Sequence, residues 1–172
     1  EIRLAHITVH TSPIDFNLTT PRALLHSFIK YLKQQQFDEH FDHASLMLGG
    51  ERHFVPELGL AAEGKICSRE SSFASTSFTE DTTVADVSYI LAHEMGHSLG
   101  MLHDGLGDYR YCECAEEPYC IMYYEAKRNV HPRHWSKCSL AFLEQMYKTE
   151  ADYCLWNEPG KMIGESKCGN GI

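Results

Sequence analysis

Three histidines in one short stretch of the chain have the spacing of metal ligands. Residues 93–97 read HEMGH, which sets His93 and His97 four residues apart, and His103 follows six residues later. In an α-helix, with about 3.6 residues per turn, side chains four residues apart project from one face toward a common point. Three nitrogen ligands with an open fourth position are typical of catalytic zinc, whereas structural zinc sites are usually closed by four protein ligands. The spacing therefore predicts a catalytic zinc site.

Glu94 stands next to the first of these histidines, about 100° around the helix, so it should lie beside the metal rather than among its ligands. A glutamate in that position can act as a general base. Zinc lowers the pKa of a bound water to about 7, Glu94 accepts the proton, and the water attacks a carbonyl that the metal polarises. Glu94 can then protonate the leaving amine. The pattern favours a zinc peptidase over a helix with two solvent-facing histidines.

Two helices are predicted around this motif from apolar spacing and end signals. Residues 84–100 show apolar residues at helical spacing, Thr83 is a suitable cap, and Gly100 is a natural end because glycine readily takes the left-handed conformation. That turn would bring His103 back toward the motif. A second helix is expected from Pro21 to about Gln35, with apolar residues again at helical spacing.

The rest of the chain predicts short strands, connections and one more helix. Apolar runs that end in glycine predict strands at 44–48 and 59–62, and the β-branched run at 2–11 predicts a first strand. The polar segment 68–83 is expected to be a surface connection, and 139–149 has the spacing of a last helix. This succession predicts a layered α/β fold.

Composition narrows the classes of protein that this chain can be. Its 172 residues suit one domain, and 24 acidic against 15 basic residues give a formal net charge of −9 without a basic cluster. We therefore expect no nucleic-acid partner. No apolar run approaches the ~18 to 20 residues of a membrane span, so no membrane segment is expected.

Seven cysteines, four of them between Cys112 and Cys138, are compatible with disulfides or with a second zinc site. Two observations favour disulfides. The histidines already account for a metal, and Asn17 opens an Asn-Leu-Thr glycosylation acceptor, which is used only in secreted material. We expect an extracellular protein, either secreted or the ectodomain of a membrane-anchored one.

The string HEMGHSLGMLHD at 93–104, followed by Cys-Ile-Met at 120–122, resembles the metzincin clan of zinc metallopeptidases, and within it the reprolysin or ADAM (adamalysin-like) family. The resemblance covers nearly the whole chain. It implies a mixed twisted sheet with helices, an active-site helix ending at Gly100, and an irregular disulfide-bearing C-terminal subdomain. It also implies that Met122 lies in a tight turn beneath the metal, and that Asp104 supports the site without binding the metal.

Further assignments rest on this resemblance alone. It implies that the edge strand at Gly59, Leu60 and Ala61 pairs with an extended substrate. The disulfides that it implies are Cys67–Cys154, Cys112–Cys138 and Cys114–Cys120, which leave Cys168 without a partner in the chain. Asp42 and Asn157 match two ligand positions of a calcium site found in family members, although another ligand would come from a strand that this chain lacks.

The resemblance also divides the chain. Residues 1–157 correspond to the catalytic domain without its first strand and helix, and 158–172 to a linker and the start of a disintegrin domain. We expect a zinc endopeptidase that acts on extended segments of extracellular or cell-surface proteins. The alternative is a little-active metalloprotease-like module of a disintegrin-type adhesion protein, since the apparent N-terminal gap could abolish activity without touching the motif.

Overall fold

The computed structural model describes residues 4–12, 14–35, 41–49, 58–68, 73–78, 81–112, 114, 118–125 and 130–157. In chain order, the elements are helix α1 (Pro21–Gln34), strands β1 (Ala44–Gly49), β2 (Gly59–Ala61) and β3 (Phe73–Phe78), helix α2 (Val84–Ser98) and helix α3 (Lys137–Lys148), with short 3₁₀ turns at Gly107–Tyr109 and Tyr153–Trp156.

The three strands form one mixed sheet in the order β1-β3-β2. β1 runs parallel to β3, with Ala44 opposite Phe73, and β2 runs antiparallel to β3, with Gly59 opposite Thr76. Within the described residues β2 therefore has one paired edge and one open edge. The mixed sheet with helices confirms the expected α/β class.

Helix α1 begins as the sequence predicts. The Thr20 side chain accepts a hydrogen bond from Ala23 N at 3.1 Å, which satisfies one of the free N–H groups of the first turn. Leu24 and Phe28 are the buried residues of this helix, and the ring of Phe16 packs edge-on against Phe28. The first turn and the apolar face are therefore both explained by local sequence.

The predicted first strand is wrong over the residues that can be compared. Residues 4–10 have no regular secondary structure, while residues 2 and 3 lie outside the described part of the chain. Leu4, Ile7 and Val9 are 54%, 63% and 79% exposed. A β-branched run favours an extended backbone, but a strand also needs a neighbour to accept and donate its ladder hydrogen bonds. No described strand pairs with this segment.

The surface connection predicted at 68–83 is also wrong, because β3 runs through it and is the middle strand of the sheet. A middle strand is stabilised by main-chain hydrogen bonds on both sides, which any residue except proline can make. The strand, Phe-Ala-Ser-Thr-Ser-Phe, lies in a mostly polar segment, so its sequence alone did not indicate a strand. It forms because neighbouring strands pair with it.

The main apolar core lies between α2 and the chain that follows it. Tyr89, Ile90, Met101, Ile121 and Met122 form its buried part, and partly buried side chains pack against it, the first of them Leu58 just before β2. α3 contributes Phe142 and Leu143 to this layer. The core therefore joins the helix that carries the histidine motif to the irregular segment that carries the third histidine.

Three disulfides are present, and they join the pairs that the resemblance implies: Cys67–Cys154, Cys112–Cys138 and Cys114–Cys120. Closing a loop of 87 residues by the first pair contributes about 4 to 5 kcal/mol in the chain-entropy model. Cys168 and the whole of 158–172 lie outside the described residues. None of the described helices has the length and apolar character needed to cross a membrane.

Candidate metal centre

The start of α2 is fixed by side chains on both sides of the first turn. Thr83 and Asp86 form a reciprocal capping box, with Asp86 N donating to Thr83 Oγ1 at 3.2 Å and Thr83 N donating to Asp86 Oδ2 at 2.8 Å. His131 Nε2 lies 2.7 Å from Asp86 Oδ1. These hydrogen bonds lower the pKa of Asp86 to about 2, the Thr83 side chain contributing most.

The end of α2 turns the chain back toward the helix face that carries the motif. The helix itself ends at Ser98. Gly100 has a φ of +89°, a backbone conformation that residues with a Cβ rarely adopt. Gly100 N donates to His97 O at 2.8 Å and Met101 N donates to Gly96 O at 2.9 Å. This is a Schellman motif, and it confirms the role expected for Gly100.

The segment after β2 binds the same helix end. Gly64 N donates to His97 O at 2.9 Å and Ile66 N donates to Ser98 O at 3.0 Å. These bonds satisfy carbonyl groups that have no partner inside the helix. The position of the motif is thus set by the segment after β2 as well as by its own turn.

The structure brings His93, His97 and His103 together. The Nε2 atoms of His93 and His97 each lie 3.1 Å from His103 Nε2, and all three ligand atoms lie within 4.8 Å of one another. Zinc–nitrogen bonds of about 2.0–2.1 Å in a tetrahedral arrangement place their nitrogens a little over 3 Å apart. The three nitrogens have the separation that one zinc ion requires.

Hydrogen bonds on the far side of two rings define which nitrogen faces the centre. His93 Nδ1 lies 2.7 Å from Ile121 O and His97 Nδ1 lies 2.9 Å from Met101 O. A carbonyl only accepts, so each Nδ1 donates, and in a neutral ring Nε2 is then left with its lone pair. The lone pairs of His93 Nε2 and His97 Nε2 are therefore free to bind a cation, and both atoms lie 3.1 Å from His103 Nε2, so the donor set fits a metal ion.

The surroundings keep these rings in the neutral, metal-binding form. Burial lowers the pKa of His93 to about 4, partly opposed by the Ile121 carbonyl. Burial also lowers the pKa of His97 and of His103. The charge of Glu63, an exposed residue two positions after β2, acts in the opposite direction on both.

Glu94 is buried against the main chain of the edge strand. It is 5% exposed, and burial raises its pKa to about 8. A Cβ placed on Gly59 would lie only 2.7 Å from Glu94 Cδ, which is closer than real contacts allow. The first residue of β2 and the carboxylate are therefore in direct contact, an approach that only glycine permits.

Met122 lies beneath the motif and is fully buried. If Gly96, the residue before His97, carried a Cβ, the nearest atom to that Cβ would be the sulfur of Met122. Trp135 Cζ3 would lie 3.1 Å from the same Cβ. Ile121, whose carbonyl accepts from His93, is its neighbour in the chain. Gly96 thus lets the methionine side chain pack directly on the helix that carries two of the histidines.

Asp104 links the third histidine to the rest of the core. Asp104 N donates to Met122 O at 2.8 Å, and its Oδ1 accepts from Ser136 Oγ at 2.7 Å. Ser136 also caps α3, accepting from Ser139 N at 2.9 Å. Asp104 is 2% exposed, and burial raises its pKa, an effect that the Ser136 hydrogen bond opposes.

The sequence alone did not identify four of these features. Ser136 as a helix cap had a recognisable signal, since serine precedes the apolar spacing of α3 by the right interval. Its bond to Asp104, 32 residues earlier in the chain, had none. The contact of Gly59 with Glu94 and the influence of Glu63 also depend on how β2 meets α2, which no local pattern specifies.

The structure does not support the two other metal sites that were considered, a second zinc site at the cysteines and a calcium site. Asp104, Cys112 and Cys138 form a second group of possible ligands, but both cysteines belong to one disulfide, so this group is no zinc site. Asp42 belongs to no group of three His, Cys, Asp or Glu ligands among the described residues, and nothing there supports the calcium site expected at Asp42 and Asn157.

Known proteins resemble this chain over most of its described length. The family model described as "Reprolysin (M12B) family zinc metalloprotease" matches residues 7–159. The disintegrin and metalloproteinase domain-containing protein adm-2 of Caenorhabditis elegans is 37% identical over 150 residues, which cover 86% of this chain and 15% of the relative. Human disintegrin and metalloproteinase domain-containing protein 9 is 34% identical over 130 residues, which cover 74% of this chain and 15% of the relative. Human disintegrin and metalloproteinase domain-containing protein 23 is 29% identical over 154 residues, which cover 89% of this chain and 18% of the relative.

Proposed function

This chain belongs to the reprolysin (M12B) family of zinc metalloproteases, and we propose that it is a zinc-dependent endopeptidase acting on extracellular or cell-surface polypeptides. The observation that carries the proposal is the convergence of three imidazole nitrogens on one helix and its turn, with the buried Glu94 next to His93 in that helix. Because the chain spans only 15% to 18% of the relatives compared above, the activity of the whole protein is part of the proposal.

In this proposal His93, His97 and His103 hold the zinc ion. Zinc bound by three nitrogens supplies a Lewis acid that lowers the pKa of water to about 7 and polarises a peptide carbonyl. The chain's own contribution is to hold three neutral rings with their lone pairs converging. The carbonyls of Ile121 and Met101 do this for two of them by fixing the tautomer.

Glu94 is proposed as the general base. Its carboxylate accepts a proton from the attacking water and passes that proton to the nitrogen of the leaving amine. Burial raises the pKa of Glu94, which strengthens it as a proton acceptor, and a cation held by the three histidines would favour its ionised form before the reaction. The contact with Gly59 holds the carboxylate in place and excludes water from that side.

The open edge of β2 is proposed to bind the substrate. An extended peptide that adds to this edge is held by main-chain hydrogen bonds, which tolerate many side chains. Because Gly59 at the start of β2 touches Glu94, a peptide on this edge passes beside the base. This placement supports an endopeptidase rather than an enzyme for small molecules, which would need an enclosed pocket.

Met122 and Asp104 are proposed as positioning residues. Met122 packs under Gly96 on α2, and Asp104 ties the chain after His103 to the cap of α3. Neither side chain needs to contact zinc for these roles. Together they keep the three ligands at the distances described above.

The setting of the parent protein is proposed from two further observations. The relatives are named as proteins with disintegrin and metalloproteinase domains, which supports a downstream disintegrin domain beginning within 158–172 and including Cys168. The three disulfides support an oxidising compartment, and with it an extracellular location.

The test is cleavage of a quenched generic peptide by the purified chain, with bound zinc measured in parallel. Glu94→Gln keeps the shape of the side chain, so we expect about one zinc per chain and a loss of cleavage of at least about 100-fold. Glu144→Gln, a change on the exposed face of α3, is the matched control and should cleave normally. Bound zinc with no cleavage by the unaltered chain would favour the little-active module instead.

A further inference from the structure

A surface acceptor for carbohydrate lies far along the chain from the metal centre, in the segment before α1. Asn17-Leu18-Thr19 is the single Asn-X-Ser/Thr sequence in the chain. Asn17 is exposed. Its Oδ1 accepts hydrogen bonds from Thr19 N at 3.1 Å and from Thr19 Oγ1 at 2.7 Å. The amide oxygen takes both contacts, which leaves Nδ2, the atom that carries an N-linked glycan, outside this turn.

The same asparagine lines a cavity on the outer side of α1. The cavity has a volume of about 540 Å³, and its walls come from residues 14–17 and one face of the helix. Asn17 N donates to Ser27 Oγ at 3.1 Å, which fixes the acceptor at the cavity wall. A volume of this size is in the range of about 300 to 1,000 Å³ that is usual for sites of small ligands.

The walls of the cavity have the chemistry that a sugar ring requires. Lys30 and Gln34 offer hydrogen-bond donors and Asp15 offers an acceptor, which suit hydroxyl and acetamido groups. Phe16 and Tyr31 add aromatic rings that pack edge to face at 5.7 Å. The electron-rich face of an aromatic ring attracts the C–H bonds of a sugar's apolar face. The Asn17 amide thus lies at the edge of a cavity whose walls suit the sugar that would be attached to it.

We propose that Asn17 carries an N-linked glycan whose first N-acetylglucosamine lies in this cavity. In the transfer, a bond forms between Asn17 Nδ2 and C1 of the sugar. The bond from C1 to the phosphate of a polyprenyl-diphosphate oligosaccharide donor breaks, the lipid diphosphate leaves, and the amide loses one proton. The inference is independent of peptidase activity, since it concerns neither the histidines nor Glu94.

The placed sugar has a structural consequence for the segment before α1. Residues 4–12 have no regular structure, and Tyr31 Oη to His10 Nε2 at 3.1 Å is one of the contacts that hold this segment to the helix. A sugar bonded to Asn17 and resting on Lys30 and Tyr31 would add a further link between residues 14–17 and α1. Modification would therefore order residues 14–17 more firmly against the helix.

The first experiment measures occupancy. The full 172-residue chain is directed into the secretory pathway of a eukaryotic cell, and its intact mass is measured before and after treatment with a peptide N-glycosidase. We expect one glycan, and conversion of Asn17 to aspartate on its removal. Asn17→Gln and Thr19→Ala should lack the glycan, whereas Thr19→Ser, the matched control, should keep it. Secreted chain without a glycan at Asn17 overturns the proposal.

The second experiment measures placement. Hydrogen exchange of residues 14–18 is compared in three forms: fully glycosylated, trimmed by an endoglycosidase to a single N-acetylglucosamine, and fully deglycosylated. We expect the first two to be equally protected and the third to exchange at least about 10-fold faster. In Lys30→Ala, the protection due to the single sugar should shrink while the glycan is still attached. Equal exchange in all three forms overturns the placement in the cavity.

Discussion

The main chain of Gly59 lies against the carboxylate of Glu94, so the first residue of the edge strand and the proposed base touch without an intervening side chain. Any Cβ at position 59 would overlap Glu94 Cδ at 2.7 Å. The contact therefore fixes the position of the proposed base relative to the strand that is proposed to bind the substrate.

Gly59→Ala should therefore impair catalysis more than metal binding. The added methyl group displaces the carboxylate, and a misplacement of about 1 Å can lower kcat by about 100-fold. Zinc content should stay near that of the unaltered chain, because no ligand moves. The measurement is kcat on a quenched peptide together with metal analysis. Ala61→Ser, which adds one atom two residues along the same strand, should retain most of the activity; equal losses in both variants would argue against the specific contact.

Gly96→Ala should destabilise the fold, although alanine is a better helix former by up to about 1 kcal/mol. The new methyl group enters the space of Met122 and Trp135, and overpacking of a core costs about 1 to 3 kcal/mol. We expect a net loss of about 1 kcal/mol in the free energy of unfolding by urea. In a Met122→Ala background, where space is available, Gly96→Ala should instead be stabilising, and failure of this sign change would contradict the packing described.

Ser136→Ala should cost more than removal of an ordinary helix cap. Loss of a capping hydroxyl costs about 0.5 to 2 kcal/mol, and here the buried Asp104 carboxylate also loses its donor, which adds about 1 to 3 kcal/mol. Thr20→Ala, at the cap of α1, is the control, since it removes a single exposed bond. Urea unfolding of both variants gives the comparison, and equal costs would refute the role of Asp104.

His43, which immediately precedes β1, should make stability depend on pH. Burial lowers the pKa of His43 from 6.5 to about 4. Between these values the unfolded chain binds the proton and the folded chain does not, so this group lowers the free energy of unfolding as pH falls from 6.5 to 4. The slope is at most about 1.4 kcal/mol per pH unit.

The check is urea unfolding of the unaltered chain and of His43→Gln across that range. The zinc-site histidines are present in both proteins, so their contribution cancels in the comparison. The variant should show a shallower slope than the unaltered chain. Identical slopes in the two proteins would show that His43 is not the group responsible.

Glu63→Gln should weaken zinc binding. The Glu63 charge acts favourably on His97 and His103 when these rings carry positive charge, and a divalent cation at the same place is attracted in the same way. Because Glu63 is exposed, the effect should be on the order of 5-fold in the zinc dissociation constant and should shrink as salt is added. Competition with a chelating dye measures it. Glu144→Gln serves as the control, and equal effects of both variants would indicate only a change in net charge.

Local sequence accounted for most of the site because the site depends mainly on one helix. The spacing of His93 and His97, the cap at Thr83 and the turn at Gly100 are all properties of residues within a few positions of one another, and the structure shows each of them. The approach of His103 begins with the turn that Gly100 provides.

What the sequence did not reveal depends on pairing between distant segments. Strand β3 has a polar sequence and forms because β1 and β2 flank it, while residues 4–10 have a strand-like sequence and no described partner. A strand is stabilised by its neighbours, and alternation or β-branching in one segment cannot supply them. The contact of Asp104 with Ser136 has the same origin, since packing of α3 brings them together.

The Cys67–Cys154 bridge makes the metal centre part of a covalent ring, because its ends are 87 residues apart and all three histidines lie between them. A single break in the main chain anywhere inside that ring opens it without releasing a fragment. A chain nicked by itself or by another protease would thus keep the mass of an intact one, plus one water, and would run as a single band until reduced. Integrity of the protein should accordingly be judged on reducing gels.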